Sequence, residues 1–215
     1  VWLQSLRAAL IAATLLILAP VLQPAGARAE TRATTLPITL HVAESGGAPV
    51  VDEAFIAERI ARANEIFAAY GVQFAVKDRK PLADRHAALA TRADRDALGT
   101  YFARGTIHVF CVASLRDVDE PERMRRGVHW HSAARSGAHF VIVSSIAGPD
   151  VLAHELGHYL GNPEHSEVAG NLMSYEHTEV TPFLDEAQIA RLRRRLRAYL
   201  ASRELVPLPA PATRP

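Results

Sequence analysis

The run His154-Glu155-Leu156-Gly157-His158-Tyr159-Leu160-Gly161-Asn162-Pro163-Glu164-His165 contains the residue types and spacing for metal chemistry. On a helix, His154 and His158 stand at i and i+4, so both imidazoles leave one face about a turn apart. Two nitrogen ligands need that geometry to meet one zinc ion at about 2.0–2.1 Å each. Glu155 follows the first histidine and is placed to accept a proton from a water activated by the metal. Gly161 lets the chain leave the helix and return a third ligand. Leu152, Leu156 and Leu160 repeat at i+4 and give the helix a buried side. His154 lies about 200° round from Leu152, at 100° per residue, so the histidines face the other way.

Beyond the third histidine comes Asn171-Leu172-Met173-Ser174-Tyr175. HExxHxxG, a further His and a downstream Met together resemble the metzincin clan of zinc endopeptidases, with Met173 supplying the Met-turn. The Met-Ser-Tyr wording is most similar to the astacin and serralysin branches and also resembles the pappalysin-like group. In those branches the tyrosine two places after the methionine sits beside the zinc. The resemblance therefore implies such a place for Tyr175, with Met173 as an apolar floor beneath the histidines. In layout it spans residues 36 to 200, but its motifs lie within 154–175. One position departs from the pattern. The usual third ligand falls three residues after the glycine, at Glu164, whereas the histidine falls one later, at His165. His165 is the expected ligand because neutral imidazole suits zinc, and Glu164 is the alternative carboxylate ligand.

The elements that must position these residues read as an α/β layout. The resemblance implies a zincin-like twisted mixed sheet with an antiparallel edge strand, an active-site helix, a Met-turn and a C-terminal helix. Leu36–Val42 reads as a first strand. Asp52 is a good N-cap for a helix with Ile56, Ile60, Ala63, Phe67 and Tyr70 on one side, ended by Gly71. Val72, Phe74 and Val76 alternate as a strand should. Thr91 with Asp94, and Asp185 with Gln188, resemble capping boxes. The first predicts a short helix to about Ala103, broken at Gly105, and the second a last helix to about Glu204. Residues 106–112 read as the next strand, and Phe140–Val143 is apolar on both faces, as a central strand should be. Residues 116–127 are charged and contain Pro121, which predicts a surface loop. The carboxylates Asp117, Asp119 and Glu120 in it match no calcium loop. His129 and His131 would share one face of a strand. That spacing can bind a metal, but the reading carried forward is that they line a cleft or solvent face. The resemblance implies that this segment is the edge strand forming the upper rim, on which an extended peptide lies.

Composition bounds the rest. With 215 residues and a hydrophobic fraction of 49%, one globular domain with a sizeable core is the expectation. Residues 1–29 stand apart: Arg7 is a short positive region, Ala8 to Leu18 is apolar, and Ala27-Arg28-Ala29 is an A-x-A cleavage site. They are read as a signal peptide, residues 30–206 as the catalytic domain and 207–215 as a disordered proline-rich tail. Removing the leader takes Arg7 and Arg28 and no acid, leaving Lys+Arg at 22 against Asp+Glu at 23. Near-neutral charge gives no case for nucleic acid. Membrane contact is expected only transiently through the leader, and the chain is read as a monomer. Arg191, Arg193, Arg194, Arg195 and Arg197 form a basic run that reads as a solvated helix face. Cys111, the sole cysteine, allows no intrachain disulfide and reads as a buried inert thiol. These features together predict a secreted or periplasmic zinc endopeptidase acting on peptide or protein substrates, with His154, His158 and His165 on Zn2+ and Glu155 and Tyr175 catalytic. A zinc-stabilised exported binding protein is the alternative, and it would have no need of Glu155.

Overall fold

The computed structural model describes residues 33–209, apart from 177 and 179. The expected leader at 1–29 and the end of the tail, 210–215, lie outside the described residues. Among the described residues the chain builds a six-stranded mixed sheet. Strand β1 (Thr34–Ser45) ends in a short antiparallel pairing with β2 (Ala48–Pro49). Helix α1 (Glu53–Ala68) follows, and Gly71, at φ 74°, turns the chain into β3 (Val72–Leu82). Strand β3 lies parallel to β1 on one side, and β5 (Ile107–Val112) lies parallel to it on the other. Next comes β8 (His139–Ser144), parallel to β5, and then β7 (Gly127–His131), antiparallel at the edge. Two short strands, β4 (Ala88–Leu89) and β6 (Ser114–Leu115), pair separately. Helix α2 (Arg92–Ala97) precedes β5; α3 (Val151–Tyr159) and α4 (Glu186–Ala201) complete the layout. None of the described helices is long and apolar enough to cross a membrane.

The central strands are apolar on both faces because each face meets a different core. Ile107, Val109 and Cys111 of β5, with Val141 and Val143 of β8, pack with residues of α1, α3 and α4. Phe110, Val112, Phe140 and Ile142 point the other way, against Leu82, Leu89, Leu98 and Leu115. Each fully buried side chain of this kind contributes about 1.5–3 kcal/mol. Cys111 is buried as expected, and burial pushes its thiol up to about 12.

The caps read from the sequence stand where they were placed. The Asp52 side chain accepts from the Phe55 amide, and Thr91–Asp94 and Asp185–Gln188 are reciprocal capping boxes. The far ends differ. α2 stops at Ala97 and tightens into a short 3-10 turn rather than continuing to Ala103. α4 stops at Ala201 rather than Glu204, because Arg203 adopts φ 56° and turns the chain back. The following segment is tied to the sheet. Leu205 bridges to Gly105, the Val206 amide donates to the Gly105 carbonyl at 3.2 Å, and the Leu208 amide donates to Thr35 at 2.9 Å. The tail expected to be unstructured from 207 is therefore held as far as Leu208.

Candidate metal centre and active-site cleft

Helix α3 is fixed from below by Leu152, Ala153, Leu156 and Leu160, all in the helix-side core. Gly157 is required where it stands: a Cβ there would lie 2.5 Å from Met173 Sδ. The helix ends at Gly161, whose φ of 100° is a left-handed conformation that a side chain resists. The Asn162 amide returns to the Gly157 carbonyl at 3.1 Å and closes the turn.

His154, His158 and His165 converge. The Nε2 atoms of His154 and His158 are 3.1 Å apart, and those of His158 and His165 are 3.2 Å apart. His154 Nδ1 is 2.7 Å from the Leu172 carbonyl, and His158 Nδ1 is 2.7 Å from the Asn162 carbonyl. A carbonyl can only accept, so each Nδ1 carries the proton and each Nε2 presents a lone pair. Two lone pairs 3.1 Å apart repel unless a cation lies between them. Ligands on a tetrahedral zinc at 2.0–2.1 Å stand about 3.3–3.4 Å from one another, so the donor set fits that ion. Burial lowers the His158 pKa to about 4, helped by the neighbouring His154, and burial lowers His165 too. Both shifts favour the neutral form that a ligand needs. Glu164 is exposed and is not among the three converging side chains.

Glu155 is 7% exposed and lies against Gly127 of the edge strand. A Cβ on Gly127 would meet Glu155 Cγ at 2.9 Å and Val151 Cγ1 at 2.6 Å. Burial pushes the Glu155 carboxyl up to about 8, against the opposing effects of a hydrogen bond from the His129 amide and the Arg125 charge. A divalent cation at the adjacent triad would lower the pH at which it ionises.

Met173 is fully buried beneath α3, and its turn is pinned from α4. Asn171 Oδ1 accepts from the Met173 amide at 2.9 Å, while Asn171 and Gln188 exchange two amide hydrogen bonds at 2.8 and 3.1 Å. The Met173 carbonyl accepts from the Ser166 amide at 2.9 Å, which ties the His165 loop to the same turn. Tyr175 stacks on His165 with ring centroids 4.3 Å apart and faces His154 at 5.8 Å. Arg125 lines the same part of the cleft as Tyr175. The charged loop is not simply solvated. Asp117 is 3% exposed, accepts from the Asp119 and Glu120 amides and from Arg125 Nε, and so holds Arg125 at the cleft. Those amide bonds and the Arg125 partner pull the Asp117 carboxyl down to about 2.

The triad opens into a cleft on either side. One part, of about 510 Å³, is lined by His129, His131, Glu155, His158, Tyr159 and Arg195, among others. The other, of about 480 Å³, passes Arg125, Gly127, His154, Glu155 and Tyr175. β7 forms the rim shared by both, and among the described residues it pairs only with β8.

This is the fold of the metzincin-type metalloproteases. Metalloproteinase-II from Bacteroides fragilis superposes with a TM-score of 0.51 at 16% identity, over 75% of this chain and 53% of that one. The chain thus spans about half the length of that protein. Mature mirolysin from Tannerella forsythia, in complex with a cleaved peptide, gives 0.56 at 11% identity, over 81% of this chain and 99% of its own. Archaemetzincin from Methanopyrus kandleri gives 0.51 at 16% identity, over 80% and 99%. No protein-family model and no curated protein matches the sequence.

Within this metzincin-like frame, the residues that sequence reasoning missed hold others in place. Arg125 was hidden in a loop that reads as solvated. Asn162 is fully buried; its carbonyl accepts from His158 and its side chain accepts from Arg191 Nε at 3.0 Å. Arg191 therefore braces the turn after α3, while Arg193, Arg194, Arg195 and Arg197 are exposed as expected. The partner of that turn in α4 was not legible in the sequence.

Proposed function

We propose that this protein is a secreted or periplasmic zinc endopeptidase. Glu155 carries the reading: it is a buried carboxyl beside the three histidines, in the cleft, and the triad could hold a metal without it. A zinc-stabilised binding protein would have no use for a costly buried carboxyl there. Zinc held by His154, His158 and His165 would acidify a water molecule and polarise a peptide carbonyl. Glu155 accepts the proton of the attacking water at its carboxylate and delivers it to the leaving amine. The Tyr175 hydroxyl, its ring stacked on His165, donates to the oxyanion that develops on the substrate carbonyl. β7 offers its free edge to an extended peptide, so the substrate adds as a strand along the rim. The apolar run and A-x-A site in residues 1–29 support export, followed by removal of the leader.

The test is a peptide-library digest with the chain lacking residues 1–29, before and after chelation and after zinc is restored. Cleavage lost on chelation and recovered with zinc is the expected result. A folded, zinc-loaded chain that cleaves nothing in the library overturns the proposal.

A further inference from the structure

A second group of three histidines stands on the sheet beside the cleft. β7 and β8 are antiparallel, with His131 opposite His139 and His129 opposite Val141. Residues two apart on a strand share a face, so His129, His131 and His139 stand together on the helix side. Their ring centroids are 4.7, 5.2 and 5.2 Å apart. The corresponding separations among His154, His158 and His165 are 4.8, 4.9 and 5.3 Å. One ring nitrogen from each of the three lies within 4.8 Å of the others.

The proton positions also suit a ligand set. His139 Nε2 is 2.6 Å from Glu204 Oε1. A carboxylate accepts, so Nε2 carries the hydrogen and Nδ1 presents a lone pair to the group, 2.9 Å from His129 Nε2. A carboxylate on the far nitrogen is the arrangement that orients a metal-binding imidazole and raises its basicity. His131 makes ring contacts with both partners and no hydrogen bond among the described residues; it is exposed and leaves an entry path. Imidazole donors without oxygen ligands suit zinc, copper or nickel rather than magnesium or calcium.

We propose that His129, His131 and His139 form a second transition-metal site, which takes zinc and ties the edge strand to β8 and, through Glu204, to the segment after α4. The site borders the cleft directly. His129 and His131 line the same cavity as Glu155 and His158, so an ion held there would fix part of the wall facing the first triad.

The test measures zinc per chain by mass spectrometry after equilibration with Zn2+ and gel filtration, with circular dichroism to establish folding. Two zinc ions are expected in the unaltered chain, one in His131→Ala, one in His158→Ala and none in the double variant. His131→Gln should match His131→Ala, since it keeps a polar side chain but removes the ligand. Glu204→Gln should keep the second ion but weaken it about 10–100-fold. A His131→Ala chain that binds as much zinc as the unaltered chain, at either stoichiometry, overturns the proposal and leaves a hydrogen-bonded histidine cluster. One ion in the unaltered chain, absent in His131→Ala but present in His158→Ala, upholds the second site and refutes the first.

Discussion

The two histidine triads hold similar ring spacings on different secondary structure. His154 and His158 come from one helix, and a stiff turn returns His165. His129, His131 and His139 come from two paired strands. In the first triad the proton-bearing nitrogens of His154 and His158 rest on the carbonyls of Leu172 and Asn162, which are neutral. In the second, His139 rests on the Glu204 carboxylate, which is charged. A cation on the first keeps its full charge for polarising a substrate; on the second, part of that charge is offset from outside the ligand set. Glu155 and Tyr175 stand beside the first triad. The second has the Tyr159 ring stacked at 4.3 Å on His139 instead. Under the two proposals above, the difference separates a site arranged for chemistry from one arranged for tying strands together.

The sharpest way to break that division is to remove the base and keep the ligands. Glu155→Gln should lower kcat/KM by about 10²–10⁴ or more while zinc content is unchanged. Normal turnover at full metal content would place the chemistry elsewhere. Next in size is the ligand assignment. His165→Ala should lose zinc affinity by more than about 100-fold, beyond the 10–100-fold typical of a ligand's hydrogen-bond partner. Glu164→Ala should keep both metal and activity, and metal analysis after dialysis of the two variants decides between them. Tyr175→Phe should retain fold and zinc but lower kcat by about 10-fold through the lost donor. An unchanged kcat would leave Tyr175 as a ring stacked on His165. Smallest is Met173→Leu, a swap of like volume that should cost under about 1.5 kcal/mol in denaturant unfolding. A larger loss would mean that the sulfur under Gly157 has a specific role.

How far each triad could be read from the sequence follows from its geometry. A helix fixes which side chains meet from spacing alone, so His154 and His158 were legible, and Gly161 announced the return of a third ligand. The choice of His165 over Glu164 needed the chemistry of zinc as well. A sheet withholds the same information. His129 and His131 share a face by alternation, but His139 joins them only through the register of β7 on β8, and that register depends on a loop of irregular backbone. Glu204 is further still, reached only because Arg203 turns the chain back after α4. The caps of α1, α2 and α4 were legible because they are local hydrogen bonds. The ends of α2 and α4 were not, because α2 tightens into a 3-10 turn after Ala97 and Arg203 turns the chain back after Ala201.

The placement of Glu204 also sets an order in time. A growing chain has the three histidines of the first triad and the Leu172 carbonyl once Met173 has been added. His129, His131 and His139 precede them all, yet the carboxylate that orients His139 is added only at position 204. At roughly 5–20 residues per second that interval lasts seconds, long enough for local structure to form. The histidines made first therefore wait longest for the side chain that orients them.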